Sequence, residues 1–159
     1  MKTSVFLLAA LFLLPLSPAA IAQSTVTVVH GKIPSPTYID LATPGDSVGD
    51  QRIWQFFGKT SDNQSVTMDW IMTTTGKSLD NSETESRMTS AVFSFSSGVN
   101  DRILVQGIGP YPVAGSTVKL DQSLERAIIG GTGKYAGAKG TIVTTHLSDG
   151  TWMHVLNLD

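Results

Sequence analysis

The segment Ala127–Gly140, AIIGGTGKYAGAKG, decides how the rest of this 159-residue chain is interpreted. It lies between two strand-like runs, Ile103–Gln106 and Thr141–Thr145, and five of its residues are glycine. Glycine at this density indicates backbone in conformations that side chains disfavour, or backbones in close approach. The segment therefore predicts a tight turn and a bulge between two neighbouring strands.

A phosphate-binding loop is the alternative interpretation of so many glycines. A Walker loop needs Ser or Thr directly after its lysine, but Tyr135 follows Lys134 here. A dinucleotide-binding loop leads into a helix, whereas Gly140–Val143 continues as a strand. Lys134 and Tyr135 are therefore expected at a turn tip, where Tyr135 can cover one end of the fold.

Most of the chain alternates between apolar and polar residues with a period of two, as half-buried strands do. The runs are rich in Thr, Val, Ile and aromatic residues, and turn signals such as Ser148-Asp149-Gly150 separate them. About eight strands can be counted, and closure into a barrel removes the exposed edges of such a sheet. The sequence thus predicts one all-β domain that closes into a barrel.

Two segments depart from this alternation. Gln122–Ala127 is a weak candidate for one or two helical turns. Gly76–Arg87 is polar and acidic, and we expect a mobile loop between two strands there.

The first residues have the features of a signal peptide, which we assign to residues 1–22. Lys2 precedes the apolar run Val5–Leu16, and Ala20-Ile21-Ala22 presents small residues at a cleavage site. The run is short for a membrane span. We therefore expect a mature domain at 23–159 that is secreted or periplasmic and has no membrane association after cleavage.

Composition excludes several classes of function. The chain has no cysteine, which excludes disulfides, thiolate zinc sites and cysteine nucleophiles. A formal net charge of −2 without a basic patch makes nucleic acid a poor partner. His146 and His154 flank a predicted hairpin and are expected as cross-strand neighbours, but two histidines without a third ligand predict no metal site.

The segment Ala127–Gly140 resembles the signature shared by allene oxide cyclases and dirigent proteins. Val105-Gln106-Gly107 followed by Pro110-Tyr111 is similar to the Val-Gln-Gly-Pro-Tyr of allene oxide cyclases, with two extra residues here. Ser47–Asp50 resembles the Gly-Asp that opens another strand in that family, and Ser35-Pro36 resembles its early Ser-Pro. The resemblance implies an eight-stranded antiparallel, calycin-like barrel, usually a homotrimer, with a cavity for a small hydrophobic ligand and no cofactor.

Transferring the family pattern onto Gly49-Asp50 places alternate residues of the following strands inside the barrel. The inward residues would then be Arg52, Trp54 and Phe56, next Met68, Trp70 and Met72, and then Met88, Ser90 and Val92. Such aromatic and thioether side chains either line a site for an apolar or conjugated substrate or fill the barrel as core. The substrate-binding residues predicted in this way are Pro36, Trp54, Phe56, Trp70, Met72 and Met88.

Four residues are candidates for catalysis, namely Tyr111, His30, Asp50 and Arg52. Tyr111 matches the family's active-site tyrosine and would stabilise a cation or an oxyanion, unless it is only an aromatic residue at the rim. Arg52 would bind a substrate anion inside the barrel, unless the register is shifted by one and it is a solvated surface residue.

The other two candidates also have two interpretations each. Asp50 is either an acid in the lumen, as dirigent proteins use, or an acceptor for the amides of a neighbouring loop. Allene oxide cyclases carry a glutamate shortly before the Ser-Pro, and this chain has no carboxylate there. His30 either acts as a general base in its place or is exposed at a strand end.

By resemblance, the sequence predicts a cofactor-free cyclase or isomerase that acts on a small, apolar, unsaturated substrate held in the cavity. The alternative is a dirigent-like or lipocalin-like secreted binding protein for hydrophobic small molecules, without chemistry of its own. A third interpretation is a structural or interaction protein with a filled barrel.

Overall fold

The protein is an all-β barrel, which a computed structural model describes for residues 24–77, 83–113, 115 and 117–159. These residues contain nine strands: β1 (Ser24–His30), β2 (Thr37–Ile39), β3 (Gln51–Thr60), β4 (Ser65–Lys77), β5 (Thr84–Phe95), β6 (Arg102–Pro112), β7 (Gln122–Thr132), β8 (Gly140–His146) and β9 (Trp152–Leu158). The sole helical element in these ranges is a 3₁₀ turn at Gly133–Tyr135, so they contain no helix of membrane-spanning length. The expected signal peptide at 1–22 lies outside the described residues.

Eight of the strands form a closed antiparallel barrel. Each strand pairs with its neighbour in the order β1-β9-β8-β7-β6-β5-β4-β3, and β1 pairs with β3 to close the ring. The short strand β2 lies outside this ring and pairs with the beginning of β3. The prediction of an eight-stranded antiparallel barrel is confirmed.

The ring closes over a short contact, which we call the seam. It consists of the pairs Val28 with Thr60 and Val29 with Lys59. After His30 the chain leaves the wall, and it rejoins β3 at the opposite end as β2, where Thr37 pairs with Ile53. The barrel wall is therefore weakest in backbone pairing beside the end of β1.

One apolar core cluster fills the barrel, and a small cavity lies among its residues toward one end. Because side chains alternate along each strand, every second residue points inward. On β4, Val66, Met68, Trp70 and Met72 all belong to this core, and Trp70 and Met72 also line the cavity. Tyr135 packs its ring 4.8 Å from that of Phe95 and covers the packed end, as expected.

The glycine-rich segment forms the predicted turn and bulge. The pairing of β6 with β7 changes from Leu104 with Gly130 to Val105 with Ile128, so Ile129 is the extra residue of a bulge. A Cβ atom on Gly131 would lie 2.3 Å from the carbonyl oxygen of Tyr135, which shows why the close approach of the turn requires glycine.

Two segment predictions are wrong. Gln122–Ala127 is strand, because its residues pair along β8 from Gln122 with His146 onward, and this pairing overrides a weak local helical preference. The loop expected over 76–87 is shorter, since β4 runs to Lys77 and β5 begins at Thr84. Its polar residues include Glu85 and Arg87, which are buried inside the barrel.

The inward face predicted for β5 is also wrong. Met88 is 44% exposed on the outside, Ser90 is exposed, and Val92 is half-buried. Ala91 is registered directly opposite the inward-facing Trp70, so the odd-numbered residues of β5 point into the barrel. The prediction was wrong because several residues on the inward face of this strand are polar, namely Glu85, Arg87 and Thr89.

Candidate functional site

A narrow cavity with a free volume of about 30 Å³ lies inside the barrel, near the end where Pro34 and Pro36 lie, which we call the mouth. Its walls are mainly aromatic and aliphatic, with Trp54, Phe56, Trp70, Met72, Leu124 and Trp152. The titratable or hydroxyl-bearing side chains that line it are His30, Tyr111, Thr117, Arg126, Thr144 and His154. An apolar chamber with a few converging polar groups is the usual form of a small-molecule site.

Arg126, on β7, is the most unusual group in this cavity. It is 4% exposed, and its Nη2 donates a hydrogen bond to the hydroxyl of Tyr111. Its Nε and Nη1 have no hydrogen-bond partner, and no carboxylate forms an ion pair with it in the described part of the chain. Because a buried charge without a partner is costly, these donors mark a place for an acceptor.

Trp70 adds a further unsatisfied donor to the same cavity. Its Nε1 is buried without a partner among the described residues, and its ring lies 5.2 Å from the guanidinium carbon of Arg126. The cation–π contact stabilises the guanidinium only in part. The lining therefore offers N–H groups from two side chains to a bound acceptor.

Tyr111 lies between two arginines. Its side chain is 1% exposed, its hydroxyl accepts from Arg126, and the guanidinium of Arg87 lies 5.0 Å from its ring. Gly107, in the same motif, gives Arg126 its space, because a Cβ atom there would lie 2.8 Å from the Cγ of Arg126. The motif around Tyr111 thus positions the guanidinium as well as the hydroxyl.

Arg52 is buried, so the interpretation as a solvated surface residue is wrong. Its Nη2 lies 3.1 Å from Asp46 and 3.4 Å from Glu85, and its Nη1 donates to Thr74 at 3.1 Å. Glu85 also accepts from Arg87 Nε at 2.5 Å. Arg52 thus belongs to a paired network beside the cavity rather than to the cavity lining.

Asp50 binds a neighbouring loop and does not line the cavity. Its carboxylate accepts from the Tyr38 hydroxyl at 2.7 Å, from the Leu41 amide at 2.9 Å and from the Ser47 amide at 2.7 Å. These hydrogen bonds, that from Tyr38 first, hold the pKa of Asp50 well below its usual range. The same contact raises the pKa of Tyr38 to about 12.

His30 is at the end of β1 and is 9% exposed. Its Nε2 lies 3.0 Å from Nε2 of His154, and its Nδ1 donates to the Gly31 carbonyl at 2.7 Å. Burial is the main reason why the pKa values of both histidines are lowered, that of His154 strongly. His30 lines the cavity on one side and an outer groove beside the seam on the other.

The expected pairing of His146 with His154 is wrong, since β9 places Trp152 opposite His146 and His154 opposite Thr144. His146 instead stacks on Trp152 with 4.1 Å between the ring centroids. The neighbour of His154 is His30, which reaches it because β1 and β9 are paired. No group of three potential metal ligands occurs within the described ranges.

The predicted substrate-binding residues divide into three groups. Trp54, Phe56, Trp70 and Met72 line the cavity, while Met88 lies on the outer surface. Pro36 lines an open cleft at the mouth, which shares residues with the cavity. Trp54 connects the two regions, because its Nε1 donates to the Pro34 carbonyl at 3.1 Å.

Sequence reasoning missed Arg126, Thr144 and Trp152. A signal for Arg126 was present, because Leu124, Arg126 and Ile128 share one face of a strand. The helical interpretation of Gln122–Ala127 concealed it. Thr144 and Trp152 carried no such signal, since only the barrel brings β8 and β9 against β1.

Solved structures that share this fold include pyocyanin demethylase and a dirigent protein. Pyocyanin demethylase superposes with a TM-score of 0.64 and 20% sequence identity, over 87% of this chain and all (100%) of its own. The pterocarpan synthase dirigent protein GePTS1 superposes with a TM-score of 0.51 and 18% identity, over 86% of this chain and 87% of its own. No protein-family model matches the sequence, and no curated protein matches it significantly. The barrel is thus a fold shared with a dirigent protein, and the resemblance to allene oxide cyclases stays a prediction.

Proposed function

We propose that this protein binds a small, planar, largely apolar molecule that carries an anionic oxygen. The observation behind this proposal is the buried guanidinium of Arg126, whose Nε and Nη1 lack partners in the described part of the chain. A carboxylate, phenolate or enolate would accept from these two donors. Such a ligand is larger than the free volume of about 30 Å³, so wall residues such as Trp54 and Trp152 would have to move apart and would then pack against its rings.

The charges in the barrel interior support an anionic ligand. Three arginines are buried there, but Arg52 and Arg87 share the carboxylate of Glu85, and Arg52 also contacts Asp46. Arg126 has no such compensation among the described residues. A ligand anion would remove the cost of burying that charge, which gives specificity for anions over neutral analogues.

A matched set of naphthalenes tests this proposal by titration calorimetry. We expect the wild type to bind 2-naphthoate more tightly than 2-acetylnaphthalene, which has the same ring and a neutral carbonyl. Arg126→Met should lower the affinity for 2-naphthoate by about 10- to 100-fold, which corresponds to the loss of a buried charge-assisted hydrogen bond. The same substitution should change the affinity for 2-acetylnaphthalene much less. Arg102→Met, which removes an arginine that does not line the cavity, is the control. Equal 2-naphthoate affinity for wild type and Arg126→Met, or no binding to the wild type, contradicts the proposal.

A second candidate function is cofactor-free isomerisation or cyclisation of such a ligand. The hydroxyl of Tyr111 and the guanidinium of Arg126 meet beside one cavity, and together they would stabilise the oxygen of an enolate. The α-proton would pass to the neutral His30 and His154 pair, which lines the same cavity. The cavity would also hold a substrate in one reactive conformation. The allene oxide cyclase resemblance supports this activity, and export of the domain 23–159 and a trimeric assembly belong to the same proposal.

Hydrogen exchange of a bound ketone separates an enzyme from a binding protein. If the site promotes enolisation, the wild type will accelerate exchange of the methyl protons of 2-acetylnaphthalene for deuterium in D₂O, as measured by mass spectrometry. Tyr111→Phe should lower the exchange rate by a larger factor than the affinity, because it removes the donor to the enolate oxygen as well as one acceptor for Arg126. If the ketone binds and its exchange is not accelerated, the catalytic function is contradicted and the binding function is retained.

A further inference from the structure

Three side chains form one hydrogen-bonded chain from the cavity to the seam. Thr144 Oγ1 lies 3.0 Å from Nδ1 of His154, whose Nε2 lies 3.0 Å from Nε2 of His30. Nδ1 of His30 lies 2.7 Å from the Gly31 carbonyl oxygen. All three side chains line the cavity, and His30 also lines the groove outside the seam.

Hydrogen-bond chemistry fixes where the protons lie when both rings are neutral. The Gly31 carbonyl only accepts, so His30 carries its proton on Nδ1 and presents a lone pair on Nε2. His154 must then donate from Nε2, which leaves its Nδ1 as an acceptor for the Thr144 hydroxyl. The two histidines therefore have opposite tautomers, and each bond in the chain points from Thr144 toward the seam.

The surroundings favour a charge on His30 over a charge on His154. His154 is 1% exposed and packs against Trp70 of β4 and Phe93 of β5, with ring centroids 5.7 Å and 5.3 Å away. Arg126 of β7 adds a positive charge that opposes a second one on His154.

The neighbours of His30 are mostly uncharged. Phe56 of β3 and Trp152 of β9 face it at 4.8 Å and 6.2 Å, and His146 is stacked on the Trp152 ring. Since His30 also borders the outer groove, it is the place where a positive charge costs least.

We propose that Thr144, His154 and His30 form a proton relay that connects the cavity with the outer groove. A ligand O–H transfers its proton to Thr144 Oγ1 as the Thr144 hydroxyl proton passes to His154 Nδ1. The proton on His154 Nε2 then passes to His30 Nε2. The ligand loses one proton, His30 gains it and becomes an imidazolium, and His154 stays neutral with its tautomer reversed. The ligand step rests on the proposed function, whereas the coupling of the two rings is a property of the protein alone.

Nitrogen-15 NMR of the ligand-free protein with labelled histidine tests this relay. At pH 8 we expect His30 protonated on Nδ1 and His154 protonated on Nε2. On acidification below pH 6.5, the ordinary histidine pKa, His30 should gain its second proton while His154 changes to the Nδ1–H tautomer in the same step. Identical tautomers at pH 8, or a His154 that keeps Nε2–H while His30 titrates, would overturn the proposal.

Substitutions at the two ends of the chain supply controls. Thr144→Val removes the hydroxyl and should abolish proton transfer from a bound ligand O–H to His30, whereas Thr144→Ser should retain it. The tautomer change of His154 on acidification should persist in both variants, because the protonated His30 dictates it through the Nε2–Nε2 hydrogen bond. His146→Gln removes a histidine outside the relay and should leave both rings as in the wild type. The wild-type spectra decide the matter alone if a variant does not fold. If the tautomer change is observed but 2-naphthoate does not bind, only the proposed ligand class is refuted. If 2-naphthoate binds but the tautomer change is absent, only the relay is refuted.

Discussion

Buried arginines in one barrel have different roles because their partners differ. Arg52 is paired with Asp46, Glu85 and Thr74, so its charge and hydrogen bonds are used within the protein. Arg126 has the hydroxyl of Tyr111 and the face of Trp70. Arg52 and Arg126 are both buried arginines, but only Arg126 has buried side-chain donors without a partner among the described residues. Arg126 is therefore the arginine that is available to a ligand.

Asp50 makes stability depend on pH in a defined direction. Its hydrogen bonds depress the pKa in the folded protein below that of the unfolded chain, where it is about 4. The stability contributed by this carboxylate is therefore present above that value and is lost as the pH falls. We expect Asp50→Asn to be less stable than the wild type at pH 7 and to lose less stability between pH 5 and pH 2.

Urea unfolding midpoints at pH 7, 5, 3 and 2 measure this difference. Asp69→Asn, at an exposed position of β4, is the control and should follow the wild-type profile. If Asp50→Asn runs parallel to the wild type at all pH values, the carboxylate does not contribute as described.

The sequence could predict some site residues but not their partners. Alternation from Gly49-Asp50 places Trp54 and Phe56 inside, and the structure has both in the cavity lining. The same logic fails at Met88, because β5 carries apolar residues on both faces and its inward face includes Glu85 and Arg87. The partner of His154 lies on a strand far away in sequence, and no local pattern encodes that contact.

At the scale of the elements, adjacent glycines differ in whether the structure leaves space for a side chain. Gly130 and Gly131 are adjacent in β7, yet a Cβ atom on Gly130 would meet nothing within 4 Å. On Gly131 it would lie 2.3 Å from the Tyr135 carbonyl oxygen and 2.8 Å from that of Arg102. The turn therefore depends on the second glycine of the pair.

We expect Gly131→Ala to lower the free energy of unfolding by about 1–3 kcal/mol, because the backbone must shift to accept the methyl group. Gly130→Ala should stay within about 0.5 kcal/mol of the wild type. Urea denaturation of the two variants measures both values. Equal destabilisation would mean that the segment needs glycine for flexibility rather than for close contact.

Strand type was predictable wherever alternation was clear, and the misjudged segments show its limit. Gln122–Ala127 has a sequence compatible with a short helix, but β6 and β8 on either side supply pairing for a strand. The polar run before Arg87 resembles a loop because polar residues are usually exposed to solvent. Its inward residues instead form hydrogen bonds with one another in a buried network. Both errors arise from tertiary contacts that act on weak local preferences.

At the scale of the whole molecule, the barrel has one short closure. β3 is paired with β4 along its length, whereas its other edge meets β1 only at Lys59 and Thr60 and β2 only near Gln51–Ile53. β4 is paired on both edges by β3 and β5. Local opening requires the fewest broken contacts at the seam.

Hydrogen–deuterium exchange should therefore be faster in the peptide 56–60 than in the peptide 68–72. Exchange followed by mass spectrometry of proteolytic fragments measures the difference, with 68–72 as the internal reference. Equal protection would show that the seam is as stable as the rest of the wall. Addition of 2-naphthoate should slow exchange at 56–60 if the ligand rests against Phe56.

The pairing of the first and last strands in sequence bears on where the chain can begin and end. β1 and β9 run antiparallel with Ser24 opposite Leu158, so the two strand ends lie side by side. A short linker could join them, and new termini could be cut at the exposed Ser148-Asp149 between β8 and β9. Such a circular permutant would keep every neighbouring strand adjacent, because the barrel is a continuous up-and-down meander whose starting point is arbitrary.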